Sequence, residues 1–270
     1  MIKRAGFRNM RVGGTSWVIR GSLADNLRHL SSCVSDMEVV LFDSNGCSNI
    51  PSRAEVEELR RICGDLGMTC TVHFPADISP HLEKGARVRD EEMCLRTIDL
   101  FAPLEPFAWI MHIMGDLRGK EPSADMKKWR EEGGKSAERI ACAVTDKKTI
   151  CLETLDYDFA PAETIVSDLG LSVCLDIGHM VKFGHSVRSE IKRLLPYARV
   201  IHAHGVKPDG TDHVDLSFFD ASLLAETIAW TDDGSERVMT MEVFEADYSK
   251  SLDVVNDILR HAFGLTTEPI

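Results

Sequence analysis

Eight short apolar runs, each followed by an amphipathic stretch, recur along this chain of 270 residues. The runs predict β-strands at 11–18, 37–42, 69–74, 108–113, 149–155, 171–179, 200–205 and 238–244. Strands that alternate with helices favour a parallel sheet, and eight such units in about 250 residues fit a closed (β/α)8 barrel better than an open sheet. We therefore expect one α/β domain, a (β/α)8 TIM barrel that takes in residues 1–270.

Charge and composition exclude several classes of function. The formal net charge of −12 disfavours binding to long nucleic acids, because those proteins need a basic surface. No apolar run reaches the roughly 20 residues that span a bilayer, and the basic first ten residues lack the apolar segment of a signal peptide. The eight cysteines form no CxxC pair, which predicts reduced structural thiols. We expect a cytoplasmic protein with a small-molecule substrate, and the sequence leaves its oligomeric state open.

Imidazoles and carboxylates accumulate where the predicted strands end. The carboxyl ends of barrel strands converge on one face, so these side chains should meet there. Each of them alone could be a core residue or half of an ion pair, but their common position predicts a metal site, since buried polar groups need partners. They are His73, His112, Glu153, Asp176, His179, His202, His204 and Glu242, with Asp212 and His213 in the loop after the seventh strand.

The donor types narrow the choice of metal. Imidazoles and carboxylates without thiolates suit Zn²⁺, Mn²⁺ or Fe²⁺. The set is too large for one tetrahedral ion, so we expect two or three divalent ions, zinc foremost, bridged by Glu153. Such a centre can activate water and stabilise both oxygens of a phosphodiester during cleavage, without a nucleophilic side chain.

The motifs at these strand ends resemble the xylose isomerase-like TIM-barrel superfamily, which includes endonuclease IV-type apurinic-site nucleases and sugar isomerases and epimerases. They are VHFP at 72–75, IMH at 110–112, LE at 152–153, LDIGH at 175–179, IHAH at 201–204 and MEV at 241–243. In the nuclease branch the matching positions hold three zinc ions. The resemblance implies metal ligands at His73, His112, Glu153, Asp176, His179, His202 and Glu242. Those nucleases separate an Asp and a His by one residue, whereas Asp212 and His213 are adjacent, so we favour His213 as a ligand and leave the third ion open.

Four further segments resemble the cobamide-remodelling phosphodiesterases, the CbiR family. They are GGTSWVI at 13–19, EVVLFD at 38–43, SNIP at 48–51 and TVHFPAD at 71–77. This closer resemblance implies hydrolysis of the phosphodiester in the nucleotide loop of a cobamide, a corrinoid substrate. We assign catalytic roles to Glu153, Glu242 and His179. The substrate pocket is expected to include Ser16, Trp17, Asn45, Asn49, His204 and Asp212.

Three alternatives stay open. A sugar or sugar-phosphate isomerase or epimerase would bind one Mn²⁺ or Mg²⁺, and two carboxylates would flank the carbon that exchanges a proton. Its ligands would be Glu153, Asp176, His202 and Glu242, which leaves His73 and His112 unexplained. An apurinic-site nuclease is disfavoured by the acidic charge. A barrel that binds a metabolite without converting it is the third alternative.

Overall fold

The computed structural model describes residues 6–44 and 46–264. Within these residues, eight parallel strands close into a barrel: β1 (Met10–Thr15), β2 (Asp36–Val40), β3 (Thr69–His73), β4 (Ala108–Met111), β5 (Ile150–Glu153), β6 (Ser172–Asp176), β7 (Ala198–Ala203) and β8 (Arg237–Met241). Each strand pairs with the next along the chain, and β8 pairs in parallel with β1, with Met239 opposite Val12. The predicted (β/α)8 barrel is confirmed.

Helices cover the outside of this barrel. The same described part of the chain holds nine α-helices: α1 (Leu23–Leu30), α2 (Arg53–Leu66), α3 (Lys84–Phe101), α4 (Met126–Ala141), α5 (Ala160–Leu169), α6 (Ile177–Lys182), α7 (Val187–Leu194), α8 (Ala221–Trp230) and α9 (Ala246–Phe263). Short 3-10 turns lie at Ala102–Leu104, Lys147–Thr149, Leu195–Tyr197 and Leu216–Phe218. Two small antiparallel pairings join Gly6–Phe7 to β1 and Asp43–Ser44 to Cys47–Ser48.

The predicted strands run one to three residues past their observed carboxyl ends. The reason is that the chain stays buried after it leaves the sheet. Phe74, Ile113 and Val243, for example, are apolar and almost fully covered, although each lies beyond its strand. Hydropathy reports burial, so it does not mark where the hydrogen-bond ladder stops. For the same reason the sequence does not predict the short helix α6: its first residue, Ile177, continues the apolar run of β6.

The two ends of the barrel differ in what fills them. At the amino-terminal end, the guanidinium groups of Arg11 and Arg199 lie 4.3 and 4.1 Å from the centre of the Phe107 ring. The side chain of Arg199 also donates to the Phe107 carbonyl at 2.7 Å. A buried apolar cluster that includes Ile110 and Val200 packs against Phe107. The polar strand termini therefore lie at the opposite end. Across the described residues, no helix has both the length and the apolar character needed to cross a membrane.

Candidate metal centre

The carboxylate of Glu153, at the end of β5, lies at the middle of the polar residues. One oxygen, Oε2, is 3.1 Å from His112 Nε2 and 3.7 Å from His73 Nε2. The same oxygen is 3.5 Å from His202 Nδ1, and Oε1 is 3.5 Å from His179 Nδ1. Glu153 is only 1% exposed. A buried carboxylate with imidazoles on both of its oxygens has the arrangement of a bridging ligand.

The donor atoms around Glu153 fall into groups whose members all lie within 4.8 Å of one another. The β3–β4 group consists of His73, His112 and Glu153. A second group, the quartet, consists of Glu153, Asp176, His202 and Glu242. The histidine group consists of His179, His204 and His213. Cys174 also approaches Glu153 and His202. The structure thus brings all eight predicted metal ligands to one end of the barrel, together with His204, which the sequence assigns to the substrate pocket.

Several buried donor atoms of the centre lack hydrogen-bond partners. They are Asp176 Oδ2, His202 Nδ1, His204 Nε2 and Glu242 Oε2. His202 Nδ1 and Glu242 Oε2 are only 3.2 Å apart, yet neither makes a hydrogen bond. Leaving such atoms unpaired is costly, and a divalent cation held between them removes the cost. Because imidazole and carboxylate donors suit Zn²⁺, Mn²⁺ or Fe²⁺, the residues present fit a metal centre.

Charges within the centre shift its titrations strongly. Burial opposes the protonation of His112, but the carboxylates of Glu153 and Asp77 outweigh it and raise its pKa to about 10. The pKa of His179 is also raised to about 10, against burial, by Asp176 and Glu153. The pKa of Glu153 falls well below its usual range despite burial, because protonated imidazoles surround it. The metal-free centre therefore holds protons between the same atoms that would bind cations.

Asp77, which sequence reasoning did not assign to the site, fixes one of its imidazoles. His112 Nδ1 donates to Asp77 Oδ1 at 2.8 Å, so the other ring nitrogen, Nε2, is the one that faces Glu153. A carboxylate that accepts from the far nitrogen of a metal-ligating histidine is a common support in metal sites. The signal lay in the segment VHFPAD, in which Asp77 follows His73 by four residues on a loop beside the site.

The histidine group depends on an unusual backbone. His213 has a left-handed conformation with φ of 51°, which is rare for residues other than glycine and is found disproportionately at functional sites. A Cβ atom at Gly178 would lie 2.3 Å from His204 Cε1, so the ring of His204 occupies space that only glycine leaves free. Asp212 instead binds Lys182, with 2.6 Å between its Oδ2 and Nζ. His204 therefore joins this group, and Asp212 does not.

The residues expected to line a substrate pocket lie mostly in structural roles. The hydroxyl of Ser16 is buried and accepts from the Val40 amide at 3.1 Å. The amide of Asn49 donates to the Val40 carbonyl at 2.8 Å and so fastens its loop to the end of β2. Trp17 is 38% exposed at the mouth of the barrel and can meet a ligand. Asn45 lies outside the described residues.

Comparison with known proteins agrees with this fold. A model of the xylose isomerase-like TIM barrel matches residues 37–250. The chain belongs to the xylose isomerase-like TIM-barrel family. A comparison with curated protein sequences finds no relative.

Several solved structures similar to this xylose isomerase-like barrel are described as sugar epimerases or as epimerase-like. A D-tagatose 3-epimerase-like protein superimposes with a TM-score of 0.72 at 18% identity, over 94% of this chain and 99% of that one. The apo form of 3-keto-D-glucoside 4-epimerase from E. coli gives 0.67 at 13%, over 92% and 98%. D-psicose 3-epimerase in the presence of D-fructose gives 0.65 at 16%, over 94% and 98%. At these identities the likeness shows the fold alone. These matches do not support the closer resemblance to cobamide-remodelling phosphodiesterases.

Proposed function

We propose that this chain is a hydrolase that uses at least two divalent cations to cleave a phosphodiester in a small molecule. One observation carries the proposal: the Glu153 carboxylate belongs to both the β3–β4 group and the quartet. An isomerase with one cation needs only the quartet, which would leave His73 and His112 beside Glu153 without a function. Support for hydrolysis comes from this donor set and from no comparison.

The residues of the centre divide the work. Divalent cations bound there would polarise phosphoryl oxygens and make water a nucleophile at neutral pH. Glu153 would be a ligand shared by two cations, since its buried carboxylate at the end of β5 belongs to both donor groups. His179 lies at the edge of the centre, 15% exposed, with its Nδ1 3.0 Å from Asp176 Oδ2. There it would help to hold a cation that stabilises the leaving oxygen.

The finer choice of substrate rests on the sequence resemblance. A cobamide, cleaved at the phosphodiester of its nucleotide loop, is the substrate that the resemblance implies. The net charge of −12 accords with a small molecule rather than DNA. A cytoplasmic location stays a prediction from the sequence.

A sugar isomerase or epimerase is the second candidate, and the comparisons by themselves favour it over the hydrolase. The similar structures named above are epimerases that cover almost the whole chain. The quartet alone can hold one cation, and the carboxylates of Glu153 and Glu242 both approach His202 Nδ1, at 3.5 and 3.2 Å. Two carboxylates beside one cation are suited to proton removal and return at a carbon next to a carbonyl.

Metal counting with a ligand variant separates the two candidates. The purified chain is stripped with a chelator, reloaded with Zn²⁺ or Mn²⁺, and assayed on a cobamide, on bis(p-nitrophenyl) phosphate and on D-tagatose and D-fructose. For the hydrolase we expect two or more ions per chain, with loss of one ion and on the order of 100-fold of the hydrolysis in His73→Ala. One ion per chain, with sugar epimerisation that His73→Ala leaves unchanged, would establish the second candidate instead. His29→Ala, on α1 away from the centre, is the matched control.

A further inference from the structure

Glu38, on β2, lies inside the barrel directly behind the quartet. Its side chain is fully buried, and Oε2 accepts from His202 Nε2 at 2.8 Å and from Thr240 Oγ1 at 3.2 Å. Its other oxygen, Oε1, has no hydrogen-bond partner. Three strands therefore bring a carboxylate, an imidazole and a hydroxyl together beneath the metal centre.

The hydrogen bond to Glu38 determines what the other nitrogen of His202 can do. Because Nε2 carries the proton that Glu38 accepts, Nδ1 of a neutral ring is bare. That nitrogen lies 3.2 Å from Glu242 Oε2 and 3.5 Å from Glu153 Oε2 and has no hydrogen-bond partner. Its lone pair therefore faces the donor atoms of the quartet.

We propose that Glu38 is a positioning residue that holds His202 in the tautomer with a bare Nδ1 and so sets the cation affinity of the quartet. The inference rests on the metal centre of the proposed function and on neither of the two candidate reactions.

The chemistry at Glu38 calls for a charged acceptor. Neutral donors, such as a neutral His202 ring and the Thr240 hydroxyl, do not balance the charge of a buried carboxylate. A cation bound at His202 Nδ1 would balance that charge through the ring, and the carboxylate would in turn make the ring a stronger ligand. Asp77 offers the same support to His112, but its side chain is 53% exposed, so solvent weakens its effect.

The test compares three variants of the full chain by zinc affinity and by histidine tautomer. Zinc affinity is measured on chelator-stripped protein by competition with a chromophoric chelator. The tautomer of His202 is read by ¹⁵N NMR in the chelator-stripped protein, at a pH high enough for the ring to be neutral, with the signal assigned by its loss in His202→Gln. For Glu38→Leu we expect an affinity loss of roughly 10- to 100-fold and a mixed tautomer. Glu38→Gln retains an acceptor without the charge and should show a smaller loss. Thr240→Val retains the Glu38–His202 bond and should bind zinc like the unaltered chain.

Each result has one meaning. If Glu38→Leu does not fold, as judged by circular dichroism, Glu38→Gln decides the matter, because it keeps the shape of the side chain. Unaltered affinity in a Glu38 variant, while the parent chain binds zinc, would overturn this inference and leave the proposed function standing. A parent chain that binds no zinc, Mn²⁺ or Fe²⁺ would overturn both.

Discussion

The carboxylate of Glu153 is buried, which disfavours its charged form, and four imidazoles surround it. A lone carboxylate at 1% exposure would take up a proton, yet its pKa is lowered by the imidazoles around it despite that burial. The centre is therefore built as alternating positive and negative groups, and its metal-free form is already an ion network. Removing one member leaves a buried charge without a partner, which costs more than the pair contributes.

The lack of a side chain at Gly178 leaves room for the ring of His204. Gly178→Ala should force the His204 ring out of place, because the new Cβ would lie 2.3 Å from His204 Cε1. We expect the free energy of unfolding of the metal-free chain to fall by about 1–3 kcal/mol, measured by urea denaturation. Gly134→Ala is the matched control, since it lies within α4 with nothing within 4 Å of a Cβ, and it should be neutral or stabilising. Equal effects of the two substitutions would show that the contact with His204 is not tight.

At the scale of elements, the junction between β6 and α6 organises the centre. Asp176 ends the strand and caps the helix: its Oδ1 accepts from the His179 amide at 2.7 Å. The other carboxylate oxygen, Oδ2, is left for the quartet. One residue thus terminates a strand, caps a helix and offers a metal donor.

The two roles of Asp176 can be separated by substitution. Asp176→Asn retains an oxygen for the cap, so the fold should survive while the zinc affinity of the quartet falls, because the charge is gone. Asp176→Ala removes the cap as well and should cost about a further 1 kcal/mol of unfolding free energy. Zinc competition and urea denaturation measure the two effects. Identical stabilities of the two variants would argue against the capping role.

At the same scale, the sequence predicted the strands better than the contacts behind them. Each polar strand end, such as His73 or Glu153, follows an apolar run and can be recognised locally. Glu38 could not be, because its partner His202 is 164 residues away and becomes a neighbour only when the barrel closes. The ion pair between Asp212 and Lys182 is likewise a tertiary contact, between the loop after β7 and the end of α6. Strand register and closure determine these pairs, and hydropathy does not encode them.

At the scale of the whole molecule, the titration of the centre makes stability depend on pH. Burial lowers the pKa of His112 and His179, but the carboxylates outweigh it and raise both to about 10, against 6.5 for a free histidine. The metal-free folded chain binds more protons than the unfolded chain between these values. This stabilisation is fully present below pH 6.5 and is lost as the pH rises toward 10. We expect the free energy of unfolding of the metal-free protein to fall from pH 6.5 to pH 9.

Metal loading provides the control for this pH dependence. Cations require neutral imidazoles, so the zinc-loaded chain should lose little stability over the same interval. Urea denaturation at several pH values, with and without a chelator, makes the comparison. The same slope in both forms would mean that the imidazoles of the centre are not the groups that titrate.

The ring nitrogens of His73 and His112 approach the quartet at Glu153, and the two residues lie at the ends of two adjacent strands. Under the proposed function, exchange of both histidines for apolar side chains would leave the four donors of the quartet in place. A site for two ions would then become a site for one, and the surrounding barrel would not need to be rebuilt.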